Sequence, residues 1–380
     1  MPSHRVLTAA ALAAATALAA TACARPDHGP AAGAGSAPPG AVKNQAAVDA
    51  AKAFLAPYLT RTATWNGPAD SPPVAPGKTI VYLNRWTFSE TNTYVVETAR
   101  KIADSLGWKF VAVDVSKDFN AGVTQALQLK PDGLISMVTE GDADSAALAQ
   151  IAAAKVPHID FTLGTTDYNL SNPGISHIID YHYYDQGRIT AAQAVVTTGG
   201  DARLGLFRTA PNSSNRQEIQ GIKDWFAQNG GGAVAADQQI PDGLHGTPQL
   251  GQAAVAFVQG HPELNVLWHE YDGIAISAVP AIRAAGLAAK VPQISNEGDA
   301  PTLNFIRTGA GQIADVAPSY GWATYAAFDD LNRIFNNVEP PKDDGVPLRL
   351  LTKDNLPPEG ERFDGGYDYA GHYRKLWGVK

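Results

Sequence analysis

Cysteine, clusters of basic residues and long apolar runs are all scarce in this sequence of 380 residues. Cys23 is the only cysteine, which excludes an intramolecular disulfide. The formal net charge is −8 and no run of Lys or Arg stands out, which argues against a duplex nucleic-acid-binding face. Only residues 6–22 form an apolar stretch that approaches the length of a membrane-spanning helix, and alanine dominates it.

The lone cysteine has a specific setting near the N-terminus. Arg5 gives a weakly basic start, Val6–Ala19 is apolar, and small residues fill positions 20–22. This resembles a bacterial lipoprotein signal, although Ala20 stands where that pattern prefers leucine. We therefore predict a signal peptide over residues 1–23, lipidation of Cys23, and anchoring at the outer face of the cell membrane. The alternative is an ordinary cleavable signal, cut near position 22, which also predicts export.

The rest of the chain divides by composition and periodicity. Residues 24–78 are predicted to form a flexible tether that contains one short helix. From position 79 onward, short apolar strands alternate with amphipathic helices, as in a parallel sheet covered on both faces, and the alternation restarts after position 180. We expect an α/β fold with two Rossmann-like lobes: lobe I over 79–180 plus about 318–340, lobe II over 181–317, and a mostly coiled tail over 341–380.

Several short segments carry a resemblance to a known family. In chain order they are the polar loop after Ile80–Leu83 with residues 98–107, KPDGLI at 130–135, AKVPHI at 154–159, QGI at 220–222, and HPELNVLW at 261–268 leading to Asp272-Gly273. Their order and spacing resemble the type I periplasmic solute-binding proteins, the ribose- and galactose-binding group of sugar ABC transporters. The resemblance implies two lobes joined by three crossovers, closure on a small polar solute, and delivery to an ABC transporter permease.

Ligands of open parallel sheets bind beyond the carboxyl ends of the strands, so the loops that follow the strands are the candidate cleft walls. The loop after the first strand supplies four candidates: Arg85, Trp86, Glu90 and Asn92. Arg85 can form forked hydrogen bonds and Trp86 offers a flat apolar face. The alternative is that Trp86 fills the core and Arg85 is solvated.

The fourth strand and the segment after it supply three more candidates. Asp160 and Thr162 stand near the point where the family carries an Asp-Arg pair that grips sugar hydroxyls. This departure argues against a simple ribose or glucose site. Tyr184 belongs to a tyrosine-rich crossover segment, whose rings would either stack on a ligand or cap the hinge.

Lobe II supplies five further candidates: Arg216, Glu270, Tyr271, Glu297 and Asp315. Family members often place a ligand-contacting arginine where this chain has Glu218, and Arg216 is a possible substitute two residues earlier. The resemblance assigns Glu297 to an acidic ligand position. The candidate set is richer in acids than in bases, which suits a sugar, a polyol or a cationic solute and disfavours anions.

Catalytic signatures are missing from the sequence. We find no Gly-x-Ser-x-Gly elbow, no phosphate loop that ends in Gly-Lys-Ser/Thr, and no pair of metal ligands at helical spacing. We therefore expect a monomeric solute receptor rather than an enzyme, with no cofactor, metal or nucleic-acid partner. Two alternatives stay open: an exported sensor that reports to a membrane receptor or kinase, and a binder of a cationic or nucleoside-like solute.

Overall fold

The computed structural model describes residues 42–60, 64–141, 143–161 and 173–379. The predicted signal peptide, the lipidation site Cys23 and the candidate ligand residue Thr162 lie outside these ranges. The described chain begins with helix α1 (Gln45–Leu55). Within these ranges, no helix combines the length and the apolar content that a bilayer crossing needs.

Lobe I is built on a parallel sheet of five strands in the order β2-β1-β3-β4-β5. The strands are β1 (Thr79–Asn84), β2 (Lys109–Asp114), β3 (Gly133–Met137), β4 (His158–Phe161) and β5 (His177–Ile179). Three helices alternate with them: α2 (Glu90–Leu106), α3 (Phe119–Gln128) and α4 (Ser145–Ala154). The four central residues of β1 are fully buried. An apolar run of this kind is typical of a strand that is covered on both faces.

Lobe II is built on a sheet of six strands in the order β11-β10-β9-β8-β6-β7, in which only the edge strand β11 is antiparallel. Its strands are β6 (Ala202–Arg208), β7 (Gly232–Gln239), β8 (Val266–His269), β9 (Gln293–Asn296), β10 (Gln312–Pro318) and β11 (Leu348–Leu351). Its helices are α5 (Tyr183–Thr198), α6 (Ser213–Asn229), α7 (Pro248–Gly260), α8 (Asp272–Ala284) and α9 (Ala300–Thr308). The two-lobed α/β fold expected from the sequence is thus present.

Three crossovers join the described lobes: β5 to α5, β10 to α10 (Tyr320–Phe335), and α10 to β11. Helix α10 belongs to lobe I, where Trp322 and Phe328 are fully buried in the core. The tail then returns to lobe I and ends in α11 (Tyr369–Trp377). We expected this part of the tail to be coil, but Tyr373 and Trp377 of α11 pack into the same core.

The segment before β1 differs from the flexible tether that its composition suggested. Residues 64–78 form a strap along lobe I, in which Trp65 stacks on Trp322 with ring centroids 4.8 Å apart. The strap also contributes backbone acceptors, because the carbonyl oxygen of Ala75 accepts a 2.7 Å hydrogen bond from Trp108 Nε1. Helix α1 packs instead on lobe II, where Phe54 contacts Trp225. Aromatic contacts therefore hold this proline-rich segment in place without any helical or strand periodicity.

Candidate functional site

A cavity of about 500 Å³ lies between the two lobes at the carboxyl ends of their strands. Lobe I contributes residues that follow β1 and β3 and the start of α10: Trp86, Phe88, Ser89, Met137, Val138 and Tyr320. Lobe II contributes the start of α5 and residues that follow β6 to β9: Tyr183, Gln186, Thr209, Ala210, Pro211, Asn212, Ser214, Glu218, His245, Glu270, Tyr271, Asn296 and Glu297. Its position matches the general rule for ligand sites in parallel sheets.

Aromatic rings form much of the cavity wall. Trp86 and Phe88 meet edge to face, with ring centroids 6.0 Å apart, and Phe88 is 56% exposed. The Nε1–H group of Trp86 is buried and has no hydrogen-bond partner among the described residues. Tyr183 and Tyr320 line the cavity from α5 and α10. The cavity therefore offers flat apolar faces to a solute.

Three carboxyl groups line the same cavity, and Glu218 is the most enclosed of them, at 1% exposure. Its Oε1 atom accepts a 2.5 Å hydrogen bond from Asn296 Nδ2, whereas Oε2 has no partner among the described residues. Burial raises the pKa of Glu218 well above its ordinary value, and the neighbouring Glu270 adds to the rise. Within the described chain, Glu218 thus keeps one buried, unpartnered oxygen at the cavity wall.

Glu270 is held by a set of short hydrogen bonds from the loop after β6. Its Oε2 atom accepts from the Thr209 amide at 2.6 Å and from the Thr209 hydroxyl at 2.7 Å. Its Oε1 atom accepts from Asn212 Nδ2 at 3.1 Å. These bonds fix the carboxylate in one orientation and tie the ends of β6 and β8 together.

Glu297 occupies an unusual backbone conformation at the end of β9, with φ of 115°. A non-glycine residue in this region is strained, and such strain is concentrated at functional sites. Burial raises the pKa of Glu297 well above its ordinary value; the charge of Asp299 adds to the rise and Arg362 opposes it. Asp315 supports this loop, because its Oδ1 atom accepts a 2.9 Å hydrogen bond from the Gly298 amide.

The charge of the cavity is strongly one-sided. Its described lining contains three glutamates and no lysine or arginine. Tyr271 and His245 complete the polar wall, since the Tyr271 hydroxyl lies 2.8 Å from His245 Nδ1. A solute with hydroxyl or amine donors matches these acceptors, whereas an anion would face uncompensated repulsion.

The structure brings four of the predicted site residues to the cavity: Trp86, Glu270, Tyr271 and Glu297. Arg85 lies outside the lining, because its Nη2 atom binds both Asp144 oxygens at 2.7 Å. Glu90 is exposed at the start of α2. Asn92 is buried and bonded to the Tyr82 hydroxyl at 2.6 Å. None of these three residues lines the cavity in this structure.

Four other predicted residues also lie outside the lining. Asp160 is fully buried within lobe I and accepts hydrogen bonds from the hydroxyls of Ser136 and Thr139; burial raises its pKa to about 7. Tyr184 donates a 2.9 Å hydrogen bond to Asp224 on α6. The remaining two residues are Arg216, which binds Glu140 at 3.1 Å, and Asp315, which is buried beneath the β9 loop.

The cavity also contains residues that were not among the candidates, chiefly Tyr183, Glu218, Asn296 and Tyr320. Two of them had a signal in the sequence. Tyr183 belongs to the tyrosine-rich segment, and Glu218 stands at the position where the family often carries an arginine. Asn296 and Tyr320 sit at the end of β9 and at the start of α10. A candidate list that included the last residue of each strand and the first residue of the helix that follows would have contained both Asn296 and Tyr320.

Contacts between the lobes flank the cavity. On one side, the Thr91 hydroxyl of lobe I lies 3.2 Å from Glu297 Oε2 and 3.0 Å from Asp299 Oδ1. Arg362, from the tail, binds Asp299 at 3.1 Å and Thr91 at 3.2 Å. On the other side, Glu140 of lobe I accepts a 2.6 Å hydrogen bond from the Ser213 amide at the start of α6. The lobes are therefore in contact across the site.

Comparisons with known proteins agree with this architecture. Residues 82–337 match the family model of the periplasmic binding protein domain. No curated protein matches the sequence. A glucose-galactose binding protein from Geobacillus stearothermophilus, GanP, is similar over 74% of this chain and 100% of its own, with a TM-score of 0.65 and 16% identity.

Two further solved structures show the same likeness. One is a carbohydrate transporter solute binding protein from Agrobacterium radiobacter in complex with D-arabinose, with a TM-score of 0.65 and 19% identity over 74% of this chain and 97% of its own. The other is an ABC transporter periplasmic solute binding protein from Actinobacillus succinogenes with bound D-allose, with a TM-score of 0.63 and 19% identity over 73% of this chain and 99% of its own. At these identities the likeness establishes the fold.

Proposed function

The chain belongs to the periplasmic binding protein domain family, and on that premise we propose that it binds a sugar or polyol outside the cytoplasm by closing its two lobes around the solute. The observation that carries the proposal is the interlobe cavity, which combines flat aromatic faces with fixed carboxyl and amide groups. Sugars and polyols present hydroxyl donors and apolar C–H faces, which are the complement of such a wall. The sugars bound to the neighbouring structures, D-arabinose and D-allose, support this class.

The polar groups of the cavity can provide enough binding free energy for micromolar affinity. A typical hydrogen bond contributes about 0.5–1.5 kcal/mol and one to a charged group about 1.5–3 kcal/mol, while micromolar binding needs about 8 kcal/mol in total. Glu218, Glu270 and Glu297 supply three carboxyl groups, and Trp86 supplies a stacking face. We propose that these four residues hold the solute, with Asn296 positioning Glu218.

A second candidate function is binding of a solute that carries an amine, such as an amino sugar or an amino polyol. Three glutamates without a lysine or arginine in the described lining favour it. An ammonium group would satisfy the free oxygen of Glu218 and would also be attracted to the aromatic faces. The two candidates make different predictions for pairs of solutes that differ only by an amino group in place of a hydroxyl.

The test is a thermal-shift screen of the chain without its signal, followed by calorimetry on the hits. The screen contains sugars, polyols, nucleosides and amines, with hydroxyl and amino versions of the same ring side by side. A rise in melting temperature with neutral sugars or polyols supports the first candidate, because a ligand that binds only the folded state stabilises it. A rise confined to the amino versions supports the second. No rise with any solute contradicts both.

Substitutions in the cavity test the site itself. We expect Trp86→Ala and Glu297→Ala each to weaken binding at least tenfold, which corresponds to about 1.4 kcal/mol, because each removes a wall group. Glu90→Ala is the matched control, since Glu90 is exposed at the start of α2; its affinity should equal that of the unmodified chain. Unchanged affinity in both cavity variants would place the solute elsewhere.

We further propose that the protein is a monomer, anchored through lipidated Cys23 and delivering its solute to an ABC importer. The signal-like start of the sequence supports export, and the neighbours that are ABC transporter components support the partner. Reporting to a membrane sensor is the alternative use of the same lobes. Cys23→Ser should move the protein from the membrane fraction to the soluble fraction. Persistent membrane association of that variant would exclude the lipid anchor.

A further inference from the structure

Away from the cavity, three ionisable side chains from distant parts of the sequence meet inside lobe I. His177 lies at the start of β5, Asp330 on α10, and Asp344 in the crossover from α10 to β11. The Nε2 atom of His177 is 3.6 Å from Asp330 Oδ2 and 3.5 Å from Asp344 Oδ2. One ligand atom from each residue lies within 4.8 Å of the other two.

Most polar atoms of this cluster are buried without a hydrogen-bond partner among the described residues. Asp330 is fully buried and Asp344 is 5% exposed. Both oxygens of Asp330, Oδ1 of Asp344 and Nε2 of His177 have no hydrogen-bond partner among the described residues. The Nε atom of Arg333 binds Asp329 at 2.7 Å, and Arg333 acts on Asp330 through its charge. Burying two carboxyl groups with so few hydrogen bonds is unfavourable, and a bound cation would offset that cost.

We propose that His177, Asp330 and Asp344 bind a divalent metal ion of the zinc type. Zinc bonds of about 2.0–2.1 Å in a tetrahedral arrangement separate neighbouring ligand atoms by roughly 3.3–3.4 Å. The two His177 distances of 3.5 and 3.6 Å are close to that separation. A mixed set of imidazole and carboxylate ligands suits zinc better than calcium or magnesium, which prefer oxygen alone.

The spacing of these three residues in the sequence does not indicate a metal site. His177 is far from Asp330 and Asp344 in the chain, and only the packing of β5, α10 and the crossover brings the three together. The metal would pin the third crossover to lobe I, where the Trp322 Nε1 group already donates a 3.0 Å hydrogen bond to the Asp344 carbonyl. Its role would be structural, at the base of the hinge and apart from the solute cavity.

The competing arrangement is a proton instead of a metal. Burial and the neighbouring Asp344 raise the pKa of Asp330 well above its ordinary value, so an uncharged Asp330 would also reduce the net charge of the cluster. If a proton already neutralises the cluster, zinc should not bind there. Measuring zinc uptake therefore distinguishes the protonated cluster from the metal site.

The experiment uses the full mature chain without a histidine tag, stripped with EDTA and then titrated with Zn²⁺ or Ca²⁺. Elemental analysis after gel filtration and thermal unfolding are the two readouts. We expect a single zinc ion per chain, a higher melting temperature with Zn²⁺, and neither effect with Ca²⁺. His177→Asn should weaken zinc binding at least about 100-fold, because a direct ligand costs more than an outer one. His261→Asn, an exposed histidine that pairs with Glu263 at 3.1 Å, is the matched control and should bind zinc normally.

Asp330→Asn adds a second readout. This change keeps the size of the side chain but removes a carboxylate ligand, so the variant should no longer respond to zinc. If Asp330→Asn does not fold, His177→Asn and His177→Gln carry the test alone. The proposal is wrong if the stripped original takes up no zinc, or if the His177 variants take up as much as it does. Solute binding is assayed separately, so failure here leaves the cavity proposal untouched.

Discussion

Glu218 shows how one residue can set the chemistry of the cavity. It stands where the family often carries a ligand-contacting arginine, and its carboxyl group is almost fully buried with one unpartnered oxygen. Exchanging a cation for a carboxyl group at this position removes a positive charge from the cavity wall. We expect the exchange to favour uncharged or cationic solutes over anions.

The raised pKa of Glu218 predicts a specific pH dependence of stability in the absence of solute. The folded chain holds the Glu218 proton more tightly than the unfolded chain does. The free energy of unfolding should thus fall as the pH rises from about 4.5 through the folded-state pKa of Glu218. Glu218→Gln cannot ionise, so its unfolding free energy should fall less over the same range. Urea denaturation at a series of pH values measures the difference.

The control for this prediction is Glu90→Gln, which makes the same chemical change at an exposed position on α2. Its pH profile should follow that of the unmodified chain. Other buried acids, Glu297 among them, contribute to the total slope in all three proteins. Parallel profiles for Glu218→Gln and the unmodified chain would contradict the role assigned to Glu218.

Errors of one or two positions explain two of the candidate residues that lie outside the cavity lining. Successive residues on a helix point about 100° apart. Tyr183 therefore lines the cavity, while Tyr184 points to Asp224 on α6. Arg216 and Glu218 differ by two positions on α6, and only Glu218 enters the cavity lining. Both candidates lie in the same segments as residues of the cavity lining, but the sequence could not define where each helix begins and hence which side chain lines the cavity.

At the scale of elements, the close packing of α5 against α6 positions both Tyr183 and Glu218. Two glycines make this possible. A Cβ atom on Gly187 would lie 1.9 Å from the Glu218 carbonyl oxygen, and one on Gly221 would lie 2.0 Å from the Tyr184 carbonyl oxygen. Gly187 thus faces the backbone of α6 at the cavity residue Glu218. Gly221 faces the backbone of α5 at Tyr184, next to the cavity residue Tyr183.

Gly221→Ala should push α6 away from α5 and displace Glu218. We expect a loss of roughly 1–3 kcal/mol in unfolding free energy from overpacking, and solute affinity weaker by roughly tenfold. Gly260→Ala, at the end of α7, is the control, because no atom lies within 4 Å of the added methyl group. Its stability should stay within about 0.5 kcal/mol of the original. If Gly221→Ala and Gly260→Ala have the same stability and the same affinity, the close contact between α5 and α6 at Gly221 does not position Glu218.

The elements themselves were largely predictable, because buried parallel strands have a continuous apolar signature. The alternation expected from position 79 onward begins with β1 (Thr79–Asn84), and its restart expected after position 180 begins with α5 (Tyr183–Thr198). The strap at 64–78 and helix α11 were missed for a different reason. Trp65 is held by stacking on Trp322 and His372, residues far away in the sequence. Contacts of this kind have no local periodicity to detect.

At the scale of the whole molecule, the lobes are linked on both sides of the cavity by polar contacts that do not need a solute. Glu140 of lobe I accepts hydrogen bonds from the Ser213 amide and from Arg216 Nη2 of lobe II. Thr91 and Arg362 link the opposite side to Asp299. We expect these contacts to favour the arrangement in which the lobes meet, and a solute that contacts both lobes to favour it further.

Removing one link should therefore weaken binding without touching the cavity wall. Glu140→Ala leaves Ser213 and Arg216 without their partner in lobe I, so the closed state should lose population and the apparent affinity should fall by the same factor. Small-angle scattering should show a larger radius of gyration without solute and the original value at saturating solute. Glu97→Ala, an exposed acid on α2, is the matched control and should change neither quantity. If Glu140→Ala keeps the original affinity and radius, the polar contacts do not govern closure, and the solute alone must hold the lobes together.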